Sequence, residues 1–276
     1  MYIMKNALKN AAVTIISAGI VVMTSCGKTD EKAATTSFET CEGSSTYALK
    51  GSAKDFGLDK DFVCNDAVSL VMPITLNGKD ATAVRDSIMM LALNNTAGDV
   101  KLAIDKWLTA EAKESGFETE RVDVDVAVVD GFCHVRGYIA NMTPEVLVYC
   151  VTTDTYNPRA ANGMTTNDYI NYSMVDNKIM ALGDLFTAEG LKQLPGLIAD
   201  QAENIPSYAG QVDISALPGR GDFYLSSEGE IVFSYAPLEV GPHSLGTVEV
   251  PFYPYELVSY MTPKAVTMFG LSDIEE

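Results

Sequence analysis

Hydrophobic positions along the first two thirds of the chain change period several times, and each change marks an element. Residues 67–76 (AVSLVMPITL) are almost continuously apolar and predict a strand, with Pro73 confining it to an edge or a bulge. Asp80 supplies a cap for a helix over about 81–93, in which Val84, Ile88 and Leu91 recur at spacings of four and three. Asp99 caps a second helix running to Ser115. Val100, Ile104, Trp107 and Leu108 form its inner stripe, and Gly116 is a fitting stop. An aromatic at helical spacing, such as Trp107, reads as core rather than as a ligand platform. The period then falls to two: Val122, Val124 and Val126 face one way, Asp123 and Asp125 the other, as in a half-buried strand. Strands at 132–140 and 145–152 flank a turn at 141–144. A polar loop covers 153–166, and a further strand spans 168–174.

In the last third, Asp184-Leu185-Phe186 starts a helical segment with Leu191, Leu194, Leu197 and Ile198 on its apolar face. Pro195 must kink it or begin a second helix. Residues 205–221 are rich in Gly, Pro, Ser and Asp and read as a loop. Residues 223–225 and 231–235 make a hairpin around Ser226-Ser227-Glu228-Gly229; 246–250 is another strand, and Pro254 opens a short helix containing Leu257 and Met261. Strands and helices in blocks predict an α+β fold, mainly antiparallel sheets with a few packed helices.

The N-terminus changes the picture. Lys5 and Lys9 precede an apolar run over 11–23, shorter than a comfortable membrane span of roughly 20 residues. It ends in Met23-Thr24-Ser25-Cys26-Gly27, which resembles a bacterial lipobox of the looser Bacteroidetes kind. The expectation is a signal peptide over 1–25, lipid attachment at Cys26 and an outer-membrane lipoprotein facing the periplasm or the exterior. Two or three acyl chains make a stable anchor. Residues 26–60 are expected to form a flexible tether, because the Thr, Ser, Glu and Lys of its first half show no apolar period.

Charge and cysteines narrow the chemistry. The chain carries a formal −18, and without Lys5 and Lys9 17 basic residues face 37 acidic ones, giving −20. Such a surface repels nucleic acid and favours a basic macromolecular partner. Cys41, Cys64, Cys133 and Cys150 are an even set in an exported chain, which suggests two disulfides. A turn at Asn141-Met142 would set Cys133 opposite Cys150, leaving Cys41 with Cys64. Their spacing does not suit zinc. Two histidines, His134 and His243, give no metal-binding pair, and no metal or cofactor is expected. His134 falls in a strand and reads as a satisfied core or surface residue. No nucleophile elbow, phosphate loop or dinucleotide fingerprint occurs. Gly219-Arg220-Gly221-Asp222 contains an Arg-Gly-Asp triplet that a tight turn suffices to explain.

Residues 181–261 carry a resemblance. Asp184-Leu185-Phe186, Phe223-Tyr224-Leu225, Tyr235, Glu239, Pro242, Gly246, Pro251 and Leu257 together resemble the C-terminal domain shared by RsiV-type anti-sigma factors and many exported proteins, the DUF3298 family. The region before it, 61–180, resembles in order the companion domain DUF4163, so two RsiV-like subdomains are expected, with the second over 181–276. Where the family commonly has Tyr-Glu and Pro-Tyr-Ala, this chain has Leu238-Glu239 and Pro242-His243-Ser244. The sequence shows no cytoplasmic sigma-binding part, so anti-sigma activity is not expected. The resemblance implies a non-enzymatic binding protein whose ligand is lysozyme or peptidoglycan, with Phe223, Tyr235, Glu239 and His243 as contact residues. The alternative is an envelope enzyme, or enzyme accessory, acting on glycans through paired carboxylates such as Asp222 and Glu239.

Overall fold

The computed structural model describes residues 21–24, 35–95, 98–114, 116–123, 129–213, 215 and 222–272. Its first body contains, in chain order, β1 (Val21–Thr24), β2 (Thr35–Leu49), β3 (Phe62–Leu76), β4 (Lys79–Asp80), α1 (Thr82–Leu93), α2 (Val100–Glu114), β5 (Thr119–Arg121), β6 (Gly131–Met142), β7 (Val146–Tyr156), β8 (Met164–Ser173) and β9 (Lys178–Ile179). Across the sheet the order is β1-β2-β3-β6-β7-β8-β9, with β4 on β3 and β5 on β2. β3 and β6 run parallel, and their connection carries both helices. A crossover between parallel strands has to leave the sheet plane, so α1 and α2 land together on one face. The remaining pairs are antiparallel.

Both helix starts follow from their aspartates: Asp80 Oδ1 accepts from the Thr82 N–H at 2.9 Å, and Asp99 Oδ1 from the Leu102 N–H at 2.8 Å. α1 buries Val84, Ile88 and Met89, and α2 buries Val100, Ile104 and Leu108. They pack on Val68, Leu70, Met72, Val135, Leu147, Tyr149, Val151, Ile170 and Tyr172, one pleat face of β3, β6, β7 and β8. Leu91, expected in the core, is 37% exposed instead.

The second body contains α3 (Leu182–Leu185), α4 (Ala188–Glu203), β10 (Asp222–Leu225), β11 (Ile231–Tyr235), β12 (Val248–Phe252) and α5 (Pro263–Met268). Its three strands form an antiparallel sheet with β11 in the centre. The Asp184 carboxylate closes the turn before α3 by accepting from the Ala181 N–H at 2.9 Å, and Thr187 Oγ1 caps α4 through the Gly190 N–H at 3.0 Å. Pro195 lies inside α4 and does not divide it. Strand β7 joins the two bodies. In Val146-Leu147-Val148-Tyr149-Cys150-Val151 the odd residues enter the helix-side core, while Val146 and Val148 enter the core of the second body. A strand buried on both faces has no polar alternation, as this run has none.

Three expectations change. The tether does not extend to residue 60: Thr35–Leu49 is a long strand, paired with β3 from Ser37↔Thr75 to Leu49↔Phe62. Threonine suits strands, and one face of β2 belongs to a polar sheet surface, so an apolar period was never required. The disulfide pairing also fails. The turn falls at Thr143-Pro144-Glu145, not Asn141-Met142, with the Thr143 N–H donating to the Val146 carbonyl. Cys133 therefore faces Thr155, and Cys150 faces Tyr138, five residues or roughly 17 Å along the strand. Cys41 faces Leu70 and Cys64 faces Tyr47, which separates that pair by roughly 20 Å. All four thiols are free. Strand β8 starts at Met164, inside the stretch expected as loop. Residues 124–126, Cys26 and the Arg-Gly-Asp triplet lie outside the described residues, apart from the backbone of Asp222.

Candidate functional site

The helices cover one face of the large sheet, and the second body covers one end of the other. There, Asn171 Nδ2 donates to the Phe223 carbonyl at 2.7 Å, Asn171 Oδ1 accepts from the Leu225 N–H at 3.0 Å, and the Tyr169 and Tyr224 rings stack at 4.1 Å. The rest of this face is a polar surface running from β2 to β8, a width of roughly 19 Å at the usual strand spacing.

Strand β6 supplies its central row: Phe132, His134, Arg136 and Tyr138 at period two. Their neighbours Cys133, Val135 and Gly137 point to the helix side, where Val135 is in the core. The row is held by its neighbours. His134 Nε2 lies 2.9 Å from Asn65 Oδ1, and Asn65 Nδ2 donates to Thr46 Oγ1 at 2.9 Å. With an amide oxygen as acceptor, Nε2 carries the proton and Nδ1 is the acceptor side of the ring. Burial holds His134 below the ordinary histidine range, so the ring is neutral at physiological pH. Phe132 stacks on it with a centroid distance of 4.8 Å. Arg136 Nη2 donates to Asp154 Oδ2 at 2.6 Å, and Thr165 Oγ1 donates to Asp154 Oδ1 at 2.6 Å. Ser69 Oγ donates to Glu42 Oε1 and Thr152 Oγ1 to Asn167 Oδ1, both at 2.8 Å.

Around this row lies a depression of about 350 Å³, lined by Phe132, His134, Arg136, Asp154, Met164 and Thr165 among others. Its loop wall is tied to the second body through His243 Nε2, 3.0 Å from the Gly163 carbonyl oxygen. The surface is therefore an array of mostly neutral donors and acceptors, with the Glu42 carboxylate, one ion pair and aromatic faces. Among the described residues no three His, Cys, Asp or Glu side chains converge on one point.

The contact residues expected from sequence do not form a surface. Phe223 and Tyr235 are 9% and 0% exposed and belong to the core of the second body. Burial, then the charge of Glu239, pushes the Tyr235 hydroxyl up to about 12. Glu239 folds back on its own loop, accepting from the Ala236 N–H at 2.9 Å. His243 alone of the four reaches the polar face, as part of its rim. Phe223 and Tyr235 lie on nearly continuous apolar runs, and β11 is buried at every position, so these motif residues serve packing. The signal for the observed row was the pattern Phe-x-His-x-Arg-x-Tyr over 132–138, large polar and aromatic residues on a strand whose other face is small or apolar.

No protein-family profile and no curated protein matches the chain. Solved structures do. A DUF3298-family protein from Bacteroides fragilis superposes with a TM-score of 0.62 at 14% identity, covering 86% of this chain and 96% of the other. The chain carries the fold of DUF3298-family proteins. A second member of that family, from Pseudomonas aeruginosa, aligns with a TM-score of 0.52 at 14% identity over 82% of this chain and 95% of its own. The DUF3298 likeness therefore spans both bodies, not the C-terminal eighty residues alone. No helix among the described residues is long and apolar enough to cross a membrane.

Proposed function

We propose that this chain is a non-enzymatic, lipid-anchored protein of the cell envelope that binds cell-wall glycan on the polar face of its large sheet. The observation that carries this reading is the row Phe132, His134, Arg136 and Tyr138, open to solvent beside a loop fixed by His243. A sugar strand presents hydroxyl and acetamido groups alternating with apolar ring faces. It is matched by neutral hydrogen-bonding side chains held in place by one another, and by aromatic rings. His134, kept neutral and orientated by Asn65, and Arg136, orientated by Asp154, are preorganised in this sense. Anchoring through Cys26, with the leader and its strand β1 removed, would put the domain where such strands are found.

Co-sedimentation with insoluble peptidoglycan at roughly physiological salt tests the reading. The protein is expected in the pellet, and His134→Ala and Arg136→Ala are each expected to weaken retention by at least about tenfold. No retention, or retention unchanged in both variants, refutes it. The net charge of −18 supports a second reading, a basic protein such as lysozyme as ligand. Saturable lysozyme binding that survives physiological salt and ignores both substitutions would favour that reading instead.

A further inference from the structure

A second surface, on the opposite side of the sheet's outer edge, is built differently and does not rest on the glycan reading. Strand β8 is ten residues long, but β9 pairs with it only at Tyr172 and Ser173, and the Met180 N–H adds one bond to the Asn171 carbonyl. In an antiparallel strand the outward-pointing groups recur at every second residue. Thr165, Asn167 and Tyr169 therefore direct their N–H and C=O groups the same way as Asn171. Among the described residues no strand lies beyond them. Free edges are normally guarded by proline, lysine, a bulge or a covering segment. Residues 164–171 (MTTNDYIN) contain neither proline nor lysine, and Asp168 is their single charge.

Helix α1 overhangs this edge. Ser87, Met90, Leu91 and Asn94 form a stripe at i, i+3, i+4 and i+7, separate from the buried stripe of Val84, Ile88 and Ala92. Met90 is 49% and Leu91 37% exposed. Between the stripe and the strand runs a groove of about 680 Å³, floored by Ile170 and Tyr169. An open strand edge beneath an exposed helix stripe is the geometry of peptide capture by strand addition.

We infer that this groove binds an extended peptide segment of a partner protein as an added strand against Thr165, Asn167 and Tyr169. Its alternate residues are apolar and lie on Met90, Leu91 and Ile170, and it carries a basic residue toward Asp86. Asp86 is the one charged residue among those described as lining the groove, and it is negative, which fixes the sign of the complementary charge. A second copy of this chain is disfavoured as occupant, because edge-to-edge pairing would bring together two like-charged chains of −18 each.

The test uses a fluorescein-labelled heptapeptide of alternating valine and lysine, titrated into the protein at roughly 0.15 M salt. Saturable binding is expected, with slowed hydrogen exchange at the amides of Thr165, Asn167 and Tyr169. A peptide of the same sequence, N-methylated along one edge, keeps the charge and side chains but cannot extend the ladder, and it should bind at least about tenfold more weakly. Leu91→Lys, a change at an exposed position, should abolish binding while leaving the unfolding midpoint in place. Absence of saturable binding overturns the inference. So does equal affinity for the N-methylated peptide, which would be attraction between opposite charges alone, or exchange protection confined to another part of the chain.

Discussion

Asn171 joins the two bodies by lending its side-chain amide to the backbone of Leu225: Oδ1 accepts from the Leu225 N–H at 3.0 Å, while Nδ2 donates to the Phe223 carbonyl at 2.7 Å. This amide occupies both the donor and the acceptor role that a neighbouring strand would fill. It is 2% exposed, so neither backbone group has water to turn to. Because β10 is held here, the second body covers one end of the polar face and leaves the remainder open.

Removing that amide should therefore cost more than an ordinary hydrogen bond. Asn171→Ala loses two bonds and strands one buried N–H and one buried C=O, an expected destabilisation of about 2–4 kcal/mol. Urea unfolding measures it as a lowered midpoint. A midpoint within about 0.5 kcal/mol of the parent would contradict the assigned role.

Gly137 is required by a close approach rather than by its backbone angles. A Cβ there would collide with the Tyr149 hydroxyl and lie 2.8 Å from Leu70 Cδ2. Both neighbours are fully buried in the helix-side core. Gly137→Ala should destabilise by about 1–3 kcal/mol, and adding Tyr149→Phe should recover part of the loss by removing the colliding oxygen. Thermal unfolding of the single and double variants separates this from a general intolerance of β6 to alanine, which Tyr149→Phe would not relieve.

Asp66 links stability to pH. Burial pushes its carboxyl from 3.8 up to about 6, against the pull of the Tyr47 hydroxyl, which donates to Oδ2 at 2.8 Å, and of the Cys133 N–H. The folded state keeps this proton where the unfolded state has lost it. The contribution is thus full below about pH 4, falls as pH rises, and is gone above about 6, a change on the order of 3 kcal/mol. Urea unfolding of the parent and of Asp66→Asn across that range should show the difference between them declining with pH. The opposite contribution of His134 is common to both proteins and cancels. A pH-independent difference would contradict the burial of a titrating carboxyl.

Cys41, Cys64, Cys133 and Cys150 should all titrate as thiols in protein denatured without reductant. In the folded protein Cys64 and Cys133 should react slowly, since burial first, and then nearby carboxylates, push both up to about 12. Finding none of these four thiols would restore both disulfides that the strand register disallows, and finding two of them would restore one.

Where burial and sequence period coincide, the fold was legible in the chain. The aspartates before α1 and α2, the Val146 to Val151 run of β7 and the hairpin of β10 and β11 all announce themselves, because each is a continuous apolar run or caps a helix with a specific side chain. β2 did not. Its Thr, Ser and Glu residues mimic a solvated tether because half of the strand forms the polar face. The candidate site was hidden for the same reason: a hydrogen-bonding surface built from Asn65, His134 and Asp154 has its partners on three different strands, and sequence spacing says nothing about which strands meet. Phe223 and Tyr235 failed in the opposite sense, since aromatic residues within a motif served packing.

The most direct test of the polar face is a two-dimensional ¹H–¹⁵N NMR titration of the protein with soluble, uncrosslinked peptidoglycan strands. Saturable shifts are expected, confined to residues 65–69, 132–138, 152–156 and 163–167, with residues 223–235 unmoved. Shifts centred elsewhere, for instance on the exposed and stacked rings of Tyr253 and Tyr255, or a spectrum that does not change at saturating ligand, would contradict it.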